Sequence, residues 1–233
     1  MSDIRQQLAD MLSEGIYEIT LLDPDDLTDD ERVAIPDWWF EALAQPSPTA
    51  ALSRALDEWE ATLPGRLPKF LAYAREHGQG IFLGRQILGR GPNTQVVLIY
   101  ALTDSTGRKP FHCWVGTPPI PAIPHHLQRL PDQVKTFHTH LHDAFQWAVK
   151  VFGGILATSE LDPVSELQLV NTNTEPDYTR IITIYSDSTP KICAELTDDP
   201  DSTTGWYWPG GEIEPIDNFW DDLDHWMILA STG

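Results

Sequence analysis

The segment Leu130–Ile155, LPDQVKTFHTHLHDAFQWAVKVFGGI, constrains the fold of this chain more than any other stretch. Pro131 suits the first turn of a helix, where its missing N–H removes no intrahelical bond. Val134, Phe137 and Leu141 then recur at i, i+3 and i+7, one stripe of a 3.6-residue helix. The helical period fades near Asp143, and Ala144–Phe152 (AFQWAVKVF) is apolar enough to be buried. Gly153-Gly154 permit a turn closed to most residues. The pattern predicts a helix delivering the chain into a buried strand or loop, with later strands packed around it, and it points to an interaction domain more than to a catalytic one.

The flanking sequence divides into a helical part and a strand-rich part. Ser2 as N-cap and Ile4, Leu8, Met11 and Leu12 at helical spacing predict a first helix ended by Gly15. Ile16–Leu22 fits a short strand or a continuation of that helix. Asp23–Arg32 (DPDDLTDDER) reads as an acidic loop; it lacks the glycine turn and terminal Glu of a calcium-binding loop. Pro36 opens a short helix through Trp38, Trp39, Phe40 and Leu43. Ser47-Pro48 starts a longer one with Leu52, Ala55, Leu56, Trp59 and Leu63 on one face, and Lys69–His77 forms another, stopped by Gly78. From Gly80 the pattern changes: Ile81–Leu88, Thr94–Leu102 and Pro110–Val115 read as three strands of an antiparallel meander. Gly116–Pro124 (GTPPIPAIP) cannot be strand interior and is the best internal boundary. Arg180–Tyr185 and Lys191–Leu196 read as a hairpin, and Pro215–Leu229 as a closing helix. The expected fold is α+β: a helical region over residues 1–79, a β-meander over 80–115 and an α+β region over 125–230, the last two either separate or one continuous domain.

Charge supplies the strongest functional signal. The chain carries 35 acidic against 15 basic residues, a net charge of −20 in 233 residues. Such a surface repels nucleic acid and anionic lipid and attracts basic partners over long range. Ile192–Gly233 holds no Lys or Arg but carries Glu195, Asp198, Asp199, Asp201, Glu212, Glu214, Asp217, Asp221, Asp222 and Asp224. Ala61–Pro110 is basic by contrast, with Arg66, Lys69, Arg75, Arg85, Arg90, Arg108 and Lys109. Solubility alone does not require such segregation, whereas a docking face uses it. No run approaches the roughly 18 apolar residues of a membrane span, and the start has neither basic n-region nor apolar h-region. Two cysteines, Cys113 and Cys193, are expected to stay reduced in a cytoplasmic setting.

Few residues suggest catalysis. His138, His140 and His142 invite a metal reading, in which His138 and His142 share a helical face and Asp143 is the nearest carboxylate; His140 points about 160° away. A helix with partly exposed histidines is the simpler expectation. His112 and Cys113 are adjacent, so on a strand they face opposite ways and form no dyad. No nucleophile elbow, phosphate-binding loop, zincin or dinucleotide motif is present. Gly205–Gly211 (GWYWPGG) remains: Trp206, Tyr207 and Trp208 in a glycine-bounded loop between acidic stretches form an anchor rimmed by carboxylates, or else Trp206 and Trp208 turn inward as core.

The C-terminal half resembles the SMI1/KNR4 (SUKH) superfamily. LPDQVKTFHTHL is similar to its "LP, short spacer, aromatic" helix, RIITIYSDSTPKICAEL to its hairpin, and PIDNFWDDLDHWM to its closing helix, with Phe219 and Leu223 in the apolar places. The resemblance covers roughly Leu130–Ala230; residues 1–115 have no counterpart in it. It implies an α+β domain without catalytic residues, in a family whose bacterial members include immunity proteins that neutralise a cognate toxin. The expectation is therefore a non-enzymatic protein, without cofactor or metal, whose partner is a basic toxin domain. Asp198, Asp199, Asp201, Asp221, Asp222, Asp224 and Trp206–Trp208 are its expected contacts. The other readings are a metal-dependent hydrolase built on His138 and His142, and a regulatory scaffold.

Overall fold

The computed structural model describes residues 4–13, 18–87, 94–104, 107, 110–148, 153–167, 176–187, 189–199, 201–210 and 212–232. It is an α+β protein built on one antiparallel sheet, whose strands β1 to β10 lie side by side in chain order. These are β1 (Ile19–Leu22), β2 (Gly78–Ile87), β3 (Thr94–Thr103), β4 (Phe111–Gly116), β5 (Phe145–Trp147), β6 (Gly153–Ile155), β7 (Ile181–Asp187), β8 (Lys191–Glu195), β9 (Gly205–Trp208) and β10 (Glu214–Ile216). The helices are α1 (Ile4–Ser13), α2 (Asp29–Ala34), α3 (Asp37–Leu43), α4 (Pro48–Thr62), α5 (Pro68–His77), α6 (Asp132–Thr136) and α7 (Phe219–Thr232).

Strand β3 is apolar from Val96 to Leu102 because helices cover both of its faces. On β3, Val96, Leu98, Tyr100 and Leu102 point into the main core, which α3, α4, α5 and α7 complete. Val97, Ile99 and Ala101 point the other way, onto Leu8 and Leu12 of α1. Two-sided burial turns a strand's period-two alternation into a continuous apolar run. Helix α4 forms as its sequence dictates: the Ser47 hydroxyl accepts the Ala50 N–H at 3.2 Å, and Pro48 occupies the first turn. Its stripe of Ala51, Leu52, Ala55, Leu56 and Trp59 is buried, each large side chain contributing about 1.5–3 kcal/mol on leaving water.

The structure departs from the sequence reading at four places. The acidic stretch after Asp23 is not all loop: Thr28 and Glu31 form a capping box, and α2 follows. The helix of the 130s lasts little more than a turn, α6, before Phe137–Leu141 widens into a π-turn closed by His142 N–H donating to the Phe137 carbonyl at 3.1 Å. Trp206–Trp208 lie in a strand, β9, not a loop. Glu214–Ile216 form the edge strand β10, so the last helix begins at Phe219 instead of Pro215. Gly15, which was to end the first helix, lies outside the described residues, as do residues 149–152 of the apolar run Ala144–Phe152. Residues on the two sides of Gly116–Pro124 pair directly, β4 with β5, and β1 adds a strand from the first 79 residues to the same sheet.

Candidate functional site

Of the three clustered histidines, the π-turn draws His138 and His142 into the fold and leaves His140 exposed. His142 is wholly buried among Trp38, Trp39, Trp59, Phe137 and Phe145, with ring centroids 5.5–6.5 Å away. Its Nδ1 lies 3.2 Å from the Thr117 carbonyl, which can only accept, so Nδ1 carries the proton. Nε2 then accepts from the Tyr100 hydroxyl at 2.9 Å, and that hydroxyl accepts from Trp59 Nε1 at 3.0 Å. Both ring nitrogens are spent. Burial, opposed only in part by the Thr117 bond, pushes the His142 pKa down to about 3. A side chain on Gly116 would meet the imidazole at 2.3 Å, which is why the strand carries glycine there.

His138 is also wholly buried, and its Nδ1–H donates to the Asp143 backbone carbonyl at 2.8 Å. The Asp143 carboxylate is 3.6 Å from the same nitrogen and accepts the Thr158 N–H at 3.0 Å. Burial raises the Asp143 pKa, but the bonds from His138 and Thr158 outweigh it and hold the carboxyl below its ordinary value. His138 and His142 thus face different partners, not a common point. This corrects the expectation of a shared helical face, which assumed a regular helix through Leu141. Among the described residues, no group of three or more His, Cys, Asp or Glu side chains is gathered as metal ligands would be. Cys113 and Cys193 are buried free thiols, and burial pushes the Cys193 pKa up to about 12.

Strand register places some of the C-terminal acids at one end of the β9–β10 hairpin. Gly205 pairs with Ile216 across β9 and β10, so the 197–204 turn and the approach to α7 leave the same end of the hairpin. Asp199 and Asp201 are exposed in that turn, where the Asp201 N–H donates to the Asp199 carboxylate at 3.2 Å. Asp217 and Asp221 are exposed at the start of α7, with Asp221 accepting from the Asn218 amide at 2.9 Å. Partial burial, and to a smaller degree the charges of Asp221 and Asp217, raise the Asp222 pKa against the opposing influence of His225 and Lys69.

Other expected contacts are used differently. Asp224 is 1 % exposed, and its carboxylate accepts the backbone N–H groups of Lys69 and Phe70. It caps α5 and cannot belong to an open acidic face, a correction that one-helix geometry did not foresee. Asp198 is exposed but holds Arg129 at 2.9 Å. Trp208 is 4 % exposed in a satellite core with Ile181 and Cys193, so it is no surface anchor. Trp206 is half-buried beside it and donates from Nε1 to Glu195 at 3.3 Å, while Tyr207 stacks on Trp226 from the other face at 5.8 Å.

The charge segregation seen along the sequence is largely undone in space. Arg75 reaches Asp57 and Glu60 on α4 at 3.0 and 2.9 Å, and Arg85 reaches Glu31 at 2.8 Å. Arg66 lies over the Trp220 ring at 5.8 Å and donates to Gln133. What survives, among the described residues, is exposed carboxylates that take part in no ion pair, Asp217 and Asp221 at the start of α7 and Asp29 and Asp30 on α2. None of the described helices is long and apolar enough to cross a membrane. Comparison of the chain with protein-family models, with curated proteins and with solved structures finds no match.

Proposed function

We propose that this protein is a non-catalytic binding module for a cationic protein partner, in its most concrete form an immunity-type protein that occludes a basic toxin domain. One observation carries the reading. Every described arginine except Arg66 is paired with a carboxylate of the same chain, and among the described residues the exposed Asp199, Asp201, Asp217 and Asp221 take part in no ion pair. Uncompensated carboxylates create a field that accelerates encounter with a basic surface and rejects acidic ones. The turn holding Asp199 and Asp201, together with Asp217, Asp221 and Asp222 at the start of α7, is the contact region. Trp206 and Tyr207, each half-buried, are the aromatic groups at its side. The SMI1/KNR4-type likeness of the C-terminal half supplies the toxin-neutralising form of the proposal.

The test is co-purification with the product of the adjacent gene, followed by association kinetics against salt. The reading expects a complex whose association rate falls steeply as screening shortens to roughly 8 Å at physiological ionic strength. It also expects slower association for Asp221→Asn/Asp222→Asn. A complex whose on-rate ignores both salt and these substitutions contradicts it.

A further inference from the structure

Helix α2 is anomalous in what it leaves outside. None of its residues is buried, and Val33 is 89 % exposed, twice the 44 % of Leu229 on α7. A six-residue helix is far too short to persist by itself. Two polar ties hold it. Thr28 and Glu31 cap each other's N–H groups at 2.9 and 3.2 Å, and both oxygens of Glu31 accept from Arg85 of β2 at 2.8 Å. A helix fixed in place without burying an apolar face keeps that face for something else.

Beside it opens a groove of about 830 Å³, walled by Val33, Ala34 and Ile35, by Val96 of β3, and by Ile120 within the proline run Pro118–Pro121. The prolines carry no N–H, and the Ile120 N–H already donates to the His138 carbonyl at 3.0 Å. The proline wall therefore offers an apolar surface with no spare backbone donor, suited to an apolar side chain. The rim is acidic: Asp29 and Asp30 are exposed and, among the described residues, no ion pair engages them, while Arg32 and Arg85 are held by Asp25 and Glu31. Asp29 and Asp30 also favour the start of α2, but that role requires neither a groove nor an exposed valine.

We propose that this groove receives an apolar side chain from a protein segment that carries lysine or arginine next to it. The charge complementarity of the rim selects the flanking cations, and the valine–proline walls select the anchor. The surface shares no residue with the acidic end at α7 and stands whether or not that end binds a partner.

A random dodecapeptide display library selected against the full chain tests the proposal. Peptides with Leu, Ile, Val or Phe beside Lys or Arg are expected to enrich. The best of them, fluorescein-labelled, is expected to bind Val33→Ser about tenfold more weakly, the loss of one anchoring contact. It should also weaken with Asp29→Asn/Asp30→Asn and hold its affinity with Asp221→Asn/Asp222→Asn. Val33→Ser is expected to unfold at the wild-type temperature, since the side chain is in water already. Lack of enrichment over bare support overturns the proposal. So do peptides lost with Asp221→Asn/Asp222→Asn but kept by Val33→Ser, which belong to the acidic end. A dimer that Val33→Ser converts to monomer in sedimentation assigns the groove to a second copy and overturns it too.

Discussion

Asp224 sits on α7 yet caps α5: its two carboxylate oxygens accept the backbone N–H groups of Lys69 at 2.9 Å and Phe70 at 2.8 Å. Helix α5 has no cap of its own, because the residue before Pro68 is Leu67, held in the left-handed region at φ 54° with no side-chain acceptor. The first turn is therefore completed from the far end of the chain. Asp224→Ala is expected to cost about 2–3 kcal/mol, the range for bonds to a buried charged acceptor. Asp224→Asn recovers only part of it, since an amide turns its own N–H₂ towards one of the donors. Urea unfolding of the three proteins checks this, and equal midpoints would show that α5 is capped by water instead.

The buried imidazole of His142 makes stability depend on acid well above the range in which Glu31 acts. Its pKa is about 3 in the folded protein against an ordinary 6.5. Between those values the unfolded chain takes up a proton that the native state refuses, so stability falls as pH falls. The slope is about 1.4 kcal/mol per pH unit. Glu31, held at about 2 by the Arg85 guanidinium against the opposing effect of burial, stabilises above its ordinary 4.5 and loses that contribution only as pH falls from there towards 2. From pH 6.5 towards 4.5 His142 sets the falling trend, and Asp222, whose pKa partial burial raises, acts with the opposite sign. Unfolding free energies at pH 7, 6 and 5 are expected to fall in the wild type. They should level in Tyr100→Phe/His142→Phe, which removes the titrating group and its donor together. A flat wild-type profile would mean that the ring is protonated in the core.

The Glu31–Arg85 pair is a fork, Nε to Oε1 and Nη2 to Oε2, both at 2.8 Å. Lysine cannot reproduce that geometry. Arg85→Lys is expected to lower global stability by only about 1 kcal/mol, as for a well-formed pair near the surface. Its local effect is larger, because α2 has no buried side chain to hold it. Amide exchange over Asp29–Ala34 should accelerate well beyond that of α4. Uniform acceleration across both helices would show that α2 rests on something other than this pair.

What could be read from sequence was local or periodic. Helix α4 announces itself through Ser47, Pro48 and a five-residue buried stripe, and β7 and β8 through the polar turn between them. The α+β class followed from these signals. One error was local: the carboxylate density around Asp25–Asp30 hid the capping box of Thr28 and Glu31. Others share a physical cause, contacts between residues far apart in the chain. The π-turn at Phe137–Leu141 is supported by the indole of Trp38, which donates to the His140 carbonyl at 3.0 Å from 102 residues away. Asp224 looked like an exposed helix acid because the N–H groups it serves are 154 and 155 residues distant. Charge segregation along the chain disappeared for the same reason: Arg75 and Arg85 meet carboxylates that precede them in sequence.

Asp222 carries the last expectation, one that separates an acidic face kept for binding from one kept by chance. Its carboxyl titrates above the ordinary range, through partial burial first and then through Asp221 and Asp217, so its charged form is disfavoured in the native state. A raised carboxylate pKa means stability increases as pH falls through it, the opposite sign to Glu31. Asp222→Asn is therefore expected to stabilise the protein at low salt, by about 0.3–0.5 kcal/mol as for other like-charge contacts on helices. The gain should shrink as added salt screens the neighbours. If the α7 acids grip a basic partner, the same substitution slows association, so stability and binding move in opposite directions. Urea midpoints at low and high salt, set beside association rates for the same pair of proteins, decide the matter: a variant that is more stable and binds equally fast places the contact elsewhere.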